Sequence, residues 1–368
     1  MLNTVTIETE SGVIPLTESR VKIKLPGIER RRKIVHISDS HISVCRDGCP
    51  SEEAEHIRNR IEFLRWQSGL YYITKSQTAN RRRVEPCDSL DAVARRVREL
   101  SPDVVIMTGD VSDEQSETIL EECIEYKEKL GAPVIISAGN RDHFRNCTER
   151  QTELRRELYG EGVFGGVNVF DMGDFDIVSV DDAYTCVSAE QCDSVERLLS
   201  GDRKVILCQH VPFLSESVVA DIRAFRGYGW MIGDRGQPDE NIRYVRTVSR
   251  YAENVAAVLA GHVHITAAPG ECDTRASIEE IMAERCDRNW EIAVGENETE
   301  RKRFCDVFLS RSLASGETEM KAREWLSRWD GNYDLGGVEE YVLSDTVPQY
   351  VAAPAFSGFL RVIDIEPA

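Results

Sequence analysis

The sequence predicts an α/β protein, and three observations carry that prediction. Short apolar runs alternate with charged, amphipathic stretches of helical period. The runs are nearly continuous in Val, Ile and Leu, as strands covered on both faces require. Most of them end in Asp, Asn or His, and open α/β sheets bind ligands at the C-terminal ends of their strands.

Taken in order, residues 4–24 alternate apolar and polar side chains around Ser11-Gly12, which predicts a hairpin. The run 33-KIVHISDSH-41 predicts a buried strand opening into a site. Residues 88–100 predict an amphipathic helix capped by Asp88, feeding the strand 103-DVVIMTGD-110. A helix over 114–130 precedes the strand 133-PVIISAGN-140. A helix at 149–159, paired strands around 167–181 and a helix near 188–199 follow. Next come the strand 204-KVILCQH-210, helices at 215–225 and 240–254, and the strand 256-AAVLAGHVH-264. Two strands, 347–355 and 359–366, close the chain.

Two stretches break this rhythm. Residues 45–87 separate a strand from its helix by far more than the usual few residues, which marks a functional insertion or cap. Within it, 51–66 reads as a capped helix. Its eight basic residues against six acidic ones would suit an anionic substrate, although charge runs are usually solvated faces. Residues 270–344 read as mostly helical (276–286, 297–314 and 317–329) and highly charged. The expected organisation is a hairpin unit, 1–32, packed on one domain, 33–368, that carries both insertions.

Composition narrows the function. With 368 residues, 41% of them apolar, the chain is long enough for a large single core with additions or for two domains. A net charge of −19 argues against coating nucleic acid, which needs a dominant basic face, but leaves room for a local basic pocket. The N-terminus shows no signal peptide and no apolar run reaches the ~20 residues of a membrane span. Eleven cysteines without repeating spacing read as reduced thiols of a cytoplasmic protein. Cys45, Cys49, Cys186 and Cys192 read as thiols rather than metal ligands.

The polar strand ends are Asp39, His41, Asp110, Asn140, His210, His262 and His264. Asp39-x-His41 and His262-x-His264 would each send two side chains to one face of an extended backbone. Glycines before Asp110, Asn140 and His262 allow sharp turns. A single histidine at a strand end is more often structural than a ligand, but four of the chain's seven fall on these positions. His36 and His56 fall outside the pattern. Four imidazoles, two carboxylates and one amide exceed the needs of one ion and suit two that share a carboxylate. Mixed nitrogen and oxygen donors favour Mn, Fe, Co or Zn over Mg or Ca.

The five blocks 39-DSH-41, 109-GDVSD-113, 139-GNRD-142, His210 and 261-GHVH-264 together resemble the calcineurin-like metallophosphoesterase superfamily. The resemblance spans roughly 33–44, 88–265 and the last strands. It implies a four-layer α/β/β/α sandwich. It also implies one metal on Asp39, His41, Asp110 and His264, and a second on Asp110, Asn140, His210 and His262. Asp110 and a hydroxide would bridge them, and the hydroxide would attack phosphorus in line.

Most of the superfamily has His after the Gly-Asn pair, and that His is thought to protonate the leaving oxygen. Here the position is Arg141, which stays protonated and is suited to holding a phosphate oxygen in a planar fork. The proton then comes from His143, from water or substrate, or is not needed because the leaving group is good. Bacterial UDP-diacylglucosamine hydrolases share a Gly-Asn-Arg-Asp block and cleave a pyrophosphate. The loop 226–238, with Arg226, Tyr228 and Trp230, could stack a base and hold a phosphate, or be an ordinary surface loop. The expected activity is a phosphodiesterase or pyrophosphatase acting on a small or nucleotide-like phosphorylated substrate. The alternatives are a superfamily nuclease, which the net charge opposes, and a catalytically silent interaction module.

Overall fold

A computed structural model describes residues 2–43, 54–55, 57–61, 64, 85–114, 116–143, 147–215, 231–233, 237–264 and 341–368. The predicted helices at 215–225, 276–286, 297–314 and 317–329 lie outside the described residues, apart from Ser215, as do Arg226, Tyr228 and Trp230.

Two sheets stack face to face. The first contains β1 (Leu2–Thr9), β2 (Gly12–Leu25), β3 (Arg32–Ile37), β4 (Val104–Thr108), β5 (Val134–Ser137) and β11 (Phe359–Pro367), in the order β1-β2-β11-β3-β4-β5. The second contains β6 (Val167–Asp171), β7 (Phe175–Val180), β8 (Lys204–Cys208), β9 (Val255–Ala260) and β10 (Gln349–Val351), in the order β10-β9-β8-β7-β6. The predicted hairpin is β1 and β2, which extends the first sheet beyond β11. Parallel pairing joins β3 to β4, β4 to β5, β7 to β8 and β8 to β9, so the loops after these strands gather at one end of each sheet.

Period-two alternation sorts each strand between two cores. In the first sheet Val35, Ile37, Val105 and Met107 face outward with Val93, Val97, Leu120 and Leu154. These come from helices α1 (Pro86–Leu100), α2 (Glu117–Lys129) and α3 (Glu149–Tyr159). Ile34, Val104 and Ile106 face inward and pack on Ile177, Ile206 and Ala257 of the second sheet. On the far side Val205, Leu207 and Val258 meet Val195, Leu199, Tyr244 and Val248 of α4 (Ala189–Leu199) and α5 (Asp239–Arg250). The order is helix, sheet, sheet, helix. Each fully buried Val or Leu in these cores contributes about 1.5–3 kcal/mol.

Helix starts follow local chemistry. Thr148 with Gln151 and Ser188 with Gln191 form capping boxes, and Ser116 accepts from the Ile119 backbone N–H. Asp88 is not the cap of α1. Pro86 starts that helix with Glu85 at the cap position, and Asp88, in the first turn, accepts from Ser11 Oγ at 2.6 Å. Buried polar contacts tie the two sheets together. Arg361 of β11, fully buried, donates to Ser19 Oγ at 3.2 Å and to the Val351 carbonyl of the other sheet at 2.9 Å. Ser137 and Ser179 hydroxyls pair across the interface at 2.9 Å.

Candidate metal centre

The strands stop before the residues that carry chemistry. β3 ends at Ile37, β4 at Thr108, β5 at Ser137, β8 at Cys208 and β9 at Ala260. The loops that follow are stitched to one another by backbone bonds. Asp39 N donates to Gly109 O at 3.0 Å, His41 N to Asp110 O at 2.9 Å, and Gly261 N to His210 O at 2.9 Å.

Here the extended-strand expectation for Asp39-x-His41 and His262-x-His264 is corrected. Asp39, His41, Asp110, His262 and His264 all have positive φ, between 43° and 66°. Each is a left-handed turn residue that costs of order 1–3 kcal/mol and is held by its surroundings. The glycine expectation is refined as well. Gly109 has φ 87°, but Gly139 and Gly261 do not fall in the left-handed region. They are needed for close approach, since a Cβ on Gly139 would collide with the Asp110 backbone and carboxylate, and one on Gly261 with Ser38 and Asp39.

All seven strand-end residues come together. His41 Nε2 lies 3.0 Å from His264 Nε2, and Asp39 Oδ1 lies 3.1 Å from His264 Nε2. On the other side His210 Nε2 is 3.1 Å from Asn140 Oδ1, while His262 Nδ1 is 3.2 Å from both. Asp110 lies between the two trios, with Oδ2 3.5 Å from His41 Nε2 and Oδ1 3.5 Å from His210 Nε2. Two donor atoms each about 2.1 Å from one ion and at right angles are about 3 Å apart, the spacing the second trio has throughout. In the first, Asp39 Oδ1 and His41 Nε2 stand 3.8 Å apart, as two donors at a wider angle on one ion would. Asp39, His41 and His264 form one group able to hold a metal ion, and Asp39, Asp110 and His210 a second. Asp39 Oδ1 is buried and has no hydrogen-bond partner, which fits an atom reserved for a cation.

Surrounding groups fix the rings. His210 Nδ1 donates to the Thr108 carbonyl at 2.7 Å and His41 Nδ1 to Asp113 Oδ1 at 2.8 Å, so both turn Nε2 into the cluster. Burial disfavours a charge on His41, yet its hydrogen bond to Asp113 and the nearby Asp39 and Asp110 carboxylates raise its pKa to about 9. Burial likewise opposes protonation of His210, but the Asp110 charge raises it to about 10. Burial and the neighbouring His210 charge lower His262 to about 3. Burial would raise Asp39, but the His264 charge holds it well below the usual carboxylate range. The negative potential that charges two imidazoles also favours a divalent ion.

Arg141 is exposed at the rim. Its backbone N–H donates to Asp110 Oδ1 at 2.8 Å, and its guanidinium makes no hydrogen bond or ion pair among the described residues. His143 turns toward the loop after β7, with Nε2 2.9 Å from Asp181 Oδ1 and its ring near Phe164 and Tyr184. His36 is buried beside Thr108, with Nε2 2.9 Å from its hydroxyl, and His56 lies outside the described residues. Three carboxylates escaped the sequence reading. Asp142 accepts from the backbones of Gly139, Val111 and Ser112 and from the Tyr159 hydroxyl. Asp182 accepts from His210 N at 2.9 Å, and burial raises its pKa to about 7. Asp113 orients His41 and pairs with Arg60. Asp113 and Asp142 end two of the quoted blocks, which was the available signal, whereas Asp182 lies in none of them.

The chain matches the model of the family described as calcineurin-like phosphoesterase over residues 32–266. It is 25% identical over 180 residues to a probable cyclic nucleotide phosphodiesterase of Synechococcus, a match covering 47% of this chain and 62% of that protein. It is similar to the yellow lupin purple acid phosphatase PPD1, with 13% identity, TM-score 0.39 and coverage of 71% of this chain and 43% of that one. For a dimetal phosphatase of Danio rerio the values are 12% identity, TM-score 0.41 and coverage of 67% and 84%.

Proposed function

The chain belongs to the calcineurin-like phosphoesterase family, a phosphoester-hydrolysing enzyme family, and on that premise we propose that it is a dinuclear phosphodiesterase or pyrophosphatase. The observation that carries this reading is the position of Asp110, one oxygen toward each of two donor trios. Asp39, His41, Asp110 and His264 would hold one ion, and Asp110, Asn140, His210 and His262 the other. The donor set suits Mn, Fe or Zn. When bound, two such ions supply Lewis acidity to phosphoryl oxygens and lower the pKa of coordinated water.

The chain's own residues divide the remaining tasks. Arg141 holds a non-bridging phosphate oxygen through its fork of N–H groups and stabilises charge in the transition state. It cannot release a proton near neutral pH. His143, whose Nε2 is held by Asp181 Oδ1 at 2.9 Å, is the candidate to supply a proton to the leaving oxygen. Arg141 in the place of a titratable donor favours substrates whose leaving group departs without help, such as a pyrophosphate or an activated phosphodiester. The name of the Synechococcus relative puts cyclic nucleotides among the small phosphodiesters to be tried. Arg226, Tyr228 and Trp230 are proposed as substrate contacts on sequence alone. Among the described residues no helix is long and apolar enough to cross a membrane. Six free cysteines among them support a cytoplasmic setting.

The test is turnover of bis-p-nitrophenyl phosphate by Mn-reloaded protein. The reading expects activity that vanishes in both Asp110→Asn and Asn140→Ala. Activity that survives both substitutions would end it.

A further inference from the structure

We infer that Arg60 is a positioning residue for the metal centre, holding Asp113 against His41 and thereby coupling the 45–87 insertion to one metal position. The inference rests on the two-ion reading above. Residues 54–55, 57–61 and 64 of the insertion are helical, and Ala54, Ile57 and Leu64 are buried. Offsets of three and seven place these side chains on one face. Ile57 and Ile61 pack in the outer core of the first sheet, beside the cluster that includes Ile42 and Val111. The helix is therefore docked through apolar contact.

Arg60 carries that docking to the site. Its Nη2 donates to Asp113 Oδ1 at 2.7 Å and its Nε to Asp113 Oδ2, so the guanidinium grips both carboxylate oxygens. The Asp113 side chain is fully buried and that of Arg60 nearly so, at 12% exposure. Asp113 Oδ1 also accepts from His41 Nδ1 at 2.8 Å. The Ser43 hydroxyl reaches Oδ2 only at 3.5 Å, so Arg60 provides the strong hold on that oxygen among the contacts described. A carboxylate held by a two-pronged arginine has one orientation, and the imidazole bonded to it has one ring plane. A lysine offers a point charge and cannot reproduce the grip.

The experiment titrates the full-length apoprotein with Mn(II) by calorimetry and with Co(II) by visible absorption, comparing wild type, Arg60→Ala and Arg60→Lys. Loss of an outer partner of a metal-bound His typically weakens the metal about 10–100-fold. The expected result is that fold-loss at one of two equivalents in Arg60→Ala, a smaller loss in Arg60→Lys, and an altered Co(II) absorption band. Both equivalents binding as in wild type, with only a lowered melting temperature, would overturn the inference and leave the two-ion reading standing. If Arg60→Ala does not fold, wild-type affinities and an unaltered Co(II) band in Arg60→Lys overturn it equally. Wild-type protein that binds no metal would overturn both.

Discussion

The Tyr159 hydroxyl donates to Asp142 Oδ1 at 2.7 Å, and both side chains are buried. Asp142 in turn accepts from Gly139 N at 2.8 Å and from the backbones of Val111 and Ser112. One carboxylate thus braces the loop carrying Asn140 against the loop carrying Asp110. Burial raises its pKa to about 6, and the backbone N–H and Tyr159 O–H donors oppose that rise. Tyr159→Phe removes one of these donors without opening a large cavity. It should cost about 1–2 kcal/mol in chemical denaturation. Metal should also bind more weakly on the Asn140 side, read by calorimetry. A variant with unchanged stability and affinity would remove Tyr159 from the account.

Arg141 should act on phosphate rather than on protons. A charged hydrogen bond contributes about 1.5–3 kcal/mol, so Arg141→Ala should lower kcat/KM about ten- to hundred-fold. Arg141→Lys should recover only part of that loss, because the fork is gone. Arg141→His introduces a titratable donor and should raise turnover of alkyl phosphodiesters relative to anhydrides. Improved anhydride turnover with alkyl esters untouched would contradict the assigned role.

Glu18 sets a stability dependence on acid that is independent of the metal centre. Its carboxylate accepts from Arg20 Nε at 2.6 Å and Arg96 Nε at 2.7 Å. Burial alone would raise its pKa above the ordinary 4.5, but the bonds to Arg96 and Arg20 lower it overall. A carboxylate with a depressed folded pKa stabilises the fold above its unfolded pKa. That contribution is lost as pH falls through the folded value. Glu18→Gln should therefore be less stable than wild type at neutral pH, with the difference shrinking as pH falls below about 4. Melting temperatures across that range check the sign. A difference that grows on acidification would refute it.

The sequence made the sheet-forming segments and the seven strand-end residues legible for one physical reason. Buried parallel strands must be apolar, so Asp39, Asp110, Asn140, His210 and His264 stand out where each run stops. Backbone conformation was not legible there. The left-handed turns of Asp39 and His41 are imposed by bonds to Gly109 and Asp110, about seventy residues away, and local propensity carries no trace of them. The outer partners were hidden likewise. Asp113 meets His41 at a separation of 72 residues, and Asp182 meets the His210 backbone at 28. Asp88 looked like a helix cap because its residue type fits, but Pro86 starts the helix earlier and leaves Asp88 to Ser11. A fully buried Arg361 in an apolar terminal strand gave no sign that it would join the two sheets.

The central claim is that Asp110 joins two ions in one centre. Mn(II) titration followed by electron paramagnetic resonance tests it most directly. The account expects two equivalents per chain, a spin-coupled signal in wild type, and loss of that coupling in Asp110→Asn with the fold intact. A single equivalent, or two equivalents whose signals are uncoupled in wild type, would contradict it.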